Sequence, residues 1–129
     1  MRRFGFLFLQ LSFLIADEKV EEVNLQNIPS KNILSIISDG SGFIWAGTDQ
    51  GLIRYDGIEV DIFRSNPFSS TSLSGNRVWF LDNYKSDTLV VVTDNAIHLY
   101  SKKNYKFDQF KIHSRPTNYF TIEDQIWIT

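Results

Sequence analysis

The chain has 129 residues, no cysteine and a formal net charge of −2. It is long enough for one ordinary hydrophobic core, and 43% hydrophobic against 22% charged residues is the balance of a globular chain, not a disordered one. The charge, with no run of basic residues longer than Lys102-Lys103, argues against the basic stripe that nucleic acid binding requires, and the missing cysteines exclude a disulfide framework or a thiolate metal site.

The amino end reads as a secretory signal peptide over residues 1–16. Arg2 and Arg3 form a cationic start, Phe4 to Ala16 is almost wholly apolar, and Asp17-Glu18-Lys19 follows at once. The apolar run is too short to span a membrane comfortably. Leu14 departs from the cleavage pattern, which prefers a small residue at that position. Cleavage after Ala16 removes both arginines. Residues 17–32 form a lead-in, with Val20, Val23, Leu25 and Ile28 as the apolar positions of a short strand.

From Ile33 the chain becomes strand-like. Three apolar runs (Ile33 to Ile37, Phe43 to Ala46, Leu52 to Tyr55) are separated by Asp39-Gly40-Ser41-Gly42 and Asp49-Gln50-Gly51. Gly supplies positive φ in tight turns, and Asp bonds back to the backbone two residues on. Ile58 to Phe63 then alternates apolar residues with acids, which predicts Ile58, Val60 and Ile62 on one face and Glu59 and Asp61 in water. Four such strands with short turns predict one β-propeller blade over 33–63. An aromatic content of 15% suits an all-β chain.

The same pattern recurs. Phe43 to Asp49 aligns with Thr88 to Asp94, 45 residues on, and Ile126-Trp127-Ile128-Thr129 reads as the same strand a third time. A period of roughly 40–50 residues is that of four-stranded blades. Blade two is predicted over 78–112, with strands Val78 to Leu81, Thr88 to Thr93, Ala96 to Tyr100 and Phe107 to Ile112. The start of blade three is predicted over 118–129. Residues 64–75 are polar and turn-rich, as a connection between blades should be. Blade two carries Val90, Val92 and Ala96 where blade one has Trp45, Gly47 and Gly51. Ala96 at a turn that wants positive φ implies strain or a changed turn type.

FIWAGTDQGLIRYDG (Phe43 to Gly57), followed by Asn66-Pro67 and by Ser72 to Val78, resembles the two-component regulator propeller repeat. That resemblance implies the extracytoplasmic sensor region of a hybrid two-component histidine kinase. It implies an oligosaccharide or other glycan-derived ligand, and signalling through membrane and kinase segments that lie outside this chain. The expected fold is all-β: a partial β-propeller of two four-stranded antiparallel blades and the start of a third. Since propellers close with at least four blades, the expectation is an exported, periplasmic amino-terminal piece whose further blades lie elsewhere. No enzymatic activity is expected of this piece on its own. The competing expectations are a fragment of a propeller enzyme such as a lyase, and a structural or adhesive module.

Candidate chemistry is sparse. Asp39-Gly40-Ser41-Gly42 lacks the carboxylate ladder of a calcium loop and precedes a strand, not the helix of a phosphate cradle, so it reads as a hairpin. Asp49 and Asp56 read as turn caps. His98 alternates with Ile97 and Leu99 and is expected to face solvent; neither it nor His113 has a sequence neighbour suited to catalysis or metal binding. Trp45 and Trp127 occupy equivalent repeat positions, which predicts packing between blades. Trp79 is less constrained and is the one candidate ligand-lining residue. No cofactor or metal is expected.

Overall fold

The computed structural model describes residues 27–122 and 125–129. The signal peptide expected over 1–16 and most of the lead-in fall outside these. Residues 27–32 are a turn and bends, with Asn27 at φ 73°, instead of the end of a strand. Among the described residues there is no helix.

β1 (Ile33–Ser38), β2 (Ile44–Thr48), β3 (Gly51–Tyr55) and β4 (Val60–Phe63) form one antiparallel sheet in chain order. β5 (Val78–Tyr84), β6 (Thr88–Thr93), β7 (Ala96–Ser101) and β8 (Lys106–Lys111) form a second of the same topology. β9 (Tyr119–Ile122) and β10 (Gln125–Ile128) pair as a hairpin. These are two propeller blades and the first two strands of another. The repeat extends to an irregularity. The register slips between Ile33↔Thr48 and Ser35↔Gly47 in the first blade, and between Val78↔Thr93 and Phe80↔Val92 in the second. Leu34 and Trp79 are thus the extra residues of matching β-bulges, which bend the strand and re-aim a side chain.

Each turn of the first blade has an identifiable chemical cause. The Asp39 carboxylate accepts the backbone N–H of Ser41 (2.8 Å) and of Phe43 (3.3 Å), closing the β1–β2 hairpin. Asp56 accepts the N–H groups of Ile58 and Glu59 and so caps the β3–β4 turn. The β2–β3 turn differs from expectation: Thr48, not Asp49, caps it, accepting from the Gln50 N–H and donating to the Gly51 carbonyl. Asp49 instead accepts from the Asn32 amide of the preceding segment. Gly51 lies at φ 142°, and a Cβ there would come within 2.8 Å of the Phe63 carbonyl oxygen. Ala96, its counterpart, is not among the residues of positive φ, so the second blade has changed its turn type and avoided strain. Ile58 falls in the β3–β4 turn and is exposed, and Ile62 is exposed as well. The residue of β4 that packs on the core is Phe63, which alternates with them, so the apolar face predicted for that segment is not the buried one.

The core lies between the blades. Trp45 and Leu52 of the first sheet pack with Leu73 of the connection and with Val78, Leu81, Leu89, Val91, Tyr100 and Phe107 of the second. The Trp45 ring is 5.1 Å from Tyr100 and 5.8 Å from Phe63, and Tyr100 is 4.7 Å from Phe107. Offset and edge contacts of this kind add to the hydrophobic burial of the rings. The Trp45 indole N–H donates to Asp39 Oδ2 at 2.9 Å, and the Lys102 ammonium, from blade two, donates to the Asp39 carbonyl at 3.2 Å. Burial opposes ionisation of Asp39, but the indole, the two turn N–H groups and Lys102 together hold its carboxyl below the ordinary carboxylate range.

Trp127 occupies the repeat position of Trp45 but not its surroundings: Trp45 is 1% exposed and Trp127 49%. On β9, Tyr119 and Thr121 face blade two, where both hydroxyls donate to Asp82 and the Tyr119 ring stacks on Phe80. Phe120 and Trp127 therefore share the opposite face of the hairpin, stacked at 6.5 Å. Trp45 likewise faces forward along the chain, toward the succeeding blade. The two indoles have the same direction, but among the described residues only Trp45 has a blade in front of it.

Gly47 marks a close approach between the blades. A Cβ there would meet Val78 Cγ1 and Ser35 Oγ at 2.6 Å and the Val78 carbonyl oxygen at 2.9 Å. Overpacking against a backbone atom has no side-chain escape. Gly47→Ala is expected to destabilise the chain by about 1–3 kcal/mol, seen as a lower urea midpoint at unchanged slope.

Candidate functional site

The crossover between the blades and the β6–β7 turn meet at one end of the molecule, and the sequence-predicted Trp79 is there. The bulge at the start of β5 leaves its indole half-buried. The indole N–H donates to Asp94 Oδ1 at 2.6 Å. The Arg115 guanidinium carbon lies 3.7 Å from the ring centroid and that of Arg77 5.4 Å. Trp79 is thus not a bare stacking platform; two guanidinium groups lie against its ring and a carboxylate takes its indole N–H. Such a cluster suits an acidic or hydroxyl-rich group that exchanges places with a guanidinium.

Beside it, on the other flank of the β6–β7 turn, runs an open groove of about 620 Å³. It is lined by Ser65, Asn66, Phe68, Ser74, Asn95 and Lys111, among others, with Phe68 97% exposed on the lip. The volume falls in the ordinary range of small-ligand sites. The loop is stiffened by its own hydrogen bonds: Ser65 N–H to Asn76 (2.7 Å), Ser72 Oγ to the Asn66 carbonyl (3.0 Å) and Asn95 Nδ2 to the Ser74 carbonyl (3.2 Å). Leu73 anchors it in the core, 1% exposed.

His98 backs this groove and is fully buried, not solvent-facing. Alternation along β7 is present, but it separates two covered faces. Ala96, His98 and Tyr100 face blade one, while Ile97 and Leu99 face the side of the β9–β10 hairpin. In a blade sandwiched between neighbours the alternating pattern does not identify a wet face. The Ser74 N–H donates to His98 Nε2 at 3.4 Å, and the hydroxyls of Ser74 and Thr93 lie 3.2 and 3.5 Å from the same nitrogen. Nδ1 has no hydrogen-bond partner among the described residues. Burial lowers the imidazole pKa to about 4.

The Ser74–His98 spacing is that of a nucleophile and base, but the chemistry is not. Ser74 Oγ donates to Asn95 Oδ1 at 3.0 Å, no carboxylate orients Nδ1, and burial makes the imidazole a poor base. His113 is exposed and shares no hydrogen bond with His98. Among the described residues no group of three or more acidic or histidine side chains is placed to hold a metal ion. Sequence reasoning reached Trp79 but not its partners, because Asp94 and Arg115 come to it only through the fold. Arg77, two residues earlier, was a readable signal.

No protein-family model matches the chain. The chain is similar to Histidine kinase P4 of Formosa agariphila, with 32% identity over 83 residues. That stretch covers 57% of this chain and 6% of the relative, so the chain spans only a small part of the length of the kinase it matches.

His98 gives the site a pH signature. Its folded pKa lies below the unfolded value of about 6.5, so the unfolded chain binds the extra proton. The stability it contributes is complete above pH 6.5 and falls as the pH drops toward 4. The loss is about 2 kcal/mol by pH 5 and about 3 kcal/mol below pH 4. Urea unfolding at pH 7 and pH 5 checks this, with His98→Gln expected to lose that component of the difference.

Proposed function

We propose that this chain is the extracytoplasmic ligand-sensing propeller region of a two-component sensor, responding to a glycan-derived ligand. The observation that carries the reading is the 83-residue similarity to a histidine kinase, in a chain whose blades repeat down to their bulges. Propellers present loops at the ends of their blades, and the Trp79 cluster with the adjoining groove offers the polar and aromatic groups that sugars engage. Phosphoryl transfer and membrane crossing would belong to other segments of such a sensor. The Arg2-Arg3 start, the apolar run and the acidic flank support export.

Two measurements test the reading. Expressed in a bacterial host, the chain should be recovered from the periplasm beginning at Asp17; recovery from the cytoplasm with Met1 to Ala16 retained overturns the export. Calorimetric titration with a panel of acidic and neutral oligosaccharides should give saturable binding, weakened about tenfold by Trp79→Ala. Absence of binding across the panel, or affinity indifferent to Trp79, removes the glycan-sensing role.

A further inference from the structure

At the opposite end of the blades, a second cavity of about 220 Å³ opens between the β1–β2 hairpin of blade one and the β7–β8 turn of blade two. Phe43 and Arg54 come from the first blade, Tyr100, Lys102 and Tyr105 from the second, and the buried Asp39 closes one side. The Tyr100 side chain is 1% exposed and its hydroxyl is buried with no hydrogen-bond partner among the described residues. A buried hydroxyl left unbonded is costly, and native proteins seldom carry one without a reason. Tyr100 lines the cavity together with Arg54, Lys102 and Tyr105, and the Arg54–Asp61 pair acts on its hydroxyl with opposite signs. Burial raises its pKa, so it stays protonated and able to donate.

The two cations that line the cavity, Arg54 and Lys102, each face a carboxylate and still have N–H groups to spare. Arg54 uses Nε (3.1 Å) and Nη2 (2.6 Å) on Asp61, which leaves Nη1 unengaged by that pair. Lys102 spends one N–H on the Asp39 carbonyl and stands 3.8 Å from its carboxylate, from a total of three. Asp39 is already taken up by the Trp45 indole, its own turn and Lys102. The apolar walls are the Phe43 ring, with the Arg54 guanidinium 4.9 Å from its centroid, and Tyr105 on the lip. Tyr105 is 69% exposed and held at φ 58°, a conformation unfavourable for a bulky side chain. The volume is below that of drug-sized sites and admits about one ring.

We propose that this inter-blade cavity binds a carboxylate carried on a single ring-sized body, with Arg54, Lys102 and the Tyr100 hydroxyl as donors and Phe43 and Tyr105 flanking the ring. The proposal stands apart from the sensor reading: it needs neither export nor a kinase. The ring is a sugar acid or an aromatic acid, the shared chemistry being the carboxylate. Because the donors come from both blades, a bound acid pins one blade to the other and raises the stability of the whole chain.

The test is thermal unfolding of the full chain with glucuronate, benzoate, glucose and benzyl alcohol, each at millimolar concentration. Glucuronate or benzoate should raise the midpoint saturably, and which of the two does so identifies the ring; both doing so makes the carboxylate the main determinant. Their neutral counterparts should not. Two variants separate binding from folding. Tyr100→Phe removes only the unbonded hydroxyl, so the free protein should unfold no earlier while affinity for the acid falls about tenfold. Tyr105→Gly relieves the left-handed backbone and should also keep the free protein stable while weakening binding. A midpoint unmoved by either acid, a neutral ligand as effective as its acid, or unchanged affinity in both variants overturns the proposal.

Discussion

Asp39 receives the Trp45 indole N–H, two backbone N–H groups of its own turn and the approach of Lys102 from the neighbouring blade. A carboxylate 8% exposed is tolerable only with such a full set of donors, because an ionised group out of water is costly unless each oxygen is paired. The consequence reaches beyond the turn. The indole bond fixes the rotamer of the largest side chain in the core, and that ring sets the positions of Phe63 and Tyr100 against it. Lys102 carries the same constraint across the interface. One hairpin carboxylate therefore specifies both the shape of a turn and the docking of two sheets.

The second blade repeats the backbone of the first without repeating this device. Val90 stands at the position of Trp45, fully buried, and Val92 at that of Gly47. The first interface is thus large aromatic against small glycine, with Val78 filling the space above Gly47. The forward face of blade two mixes the aliphatic Val90, Ile97 and Leu99 with Phe80 and Asp82, and the β9–β10 hairpin meets it through the Tyr119–Phe80 stack and the polar anchor Asp82 instead of an indole. The same sheet topology is held by different chemistry at successive interfaces, which is why sequence similarity between the blades is weak where structural similarity is strong.

That difference sets what was legible in the sequence. Strand number, order and antiparallel pairing follow from short apolar runs and local turn chemistry, and these depend on residues within a few positions of one another. The hairpin at Asp39 and the cap at Asp56 were readable for that reason. The face of β7 on which His98 lies was not, since both faces of a blade are covered and only the partner sheet decides which is which. Nor was the division of labour between Thr48 and Asp49, two residues equally able to cap a turn. Of the candidate site, Trp79 was readable as a residue without an obvious packing role. Its cations and the crossover groove were not, because Arg115 and Asp94 approach it from separate loops.

The two ends of the molecule share one strand. On the same face of β7, His98 backs the crossover groove and Tyr100 borders the inter-blade cavity, two residues and roughly 7 Å apart. Both are fully buried side chains that retain an unpaired polar atom among the described residues, and both press against the other blade or the connection to it. A purely structural strand gains nothing from such atoms, since an apolar side chain of similar size fills the space without the desolvation cost. The polar groups at both ends of this one buried strand are borne by the same packed surface between the blades.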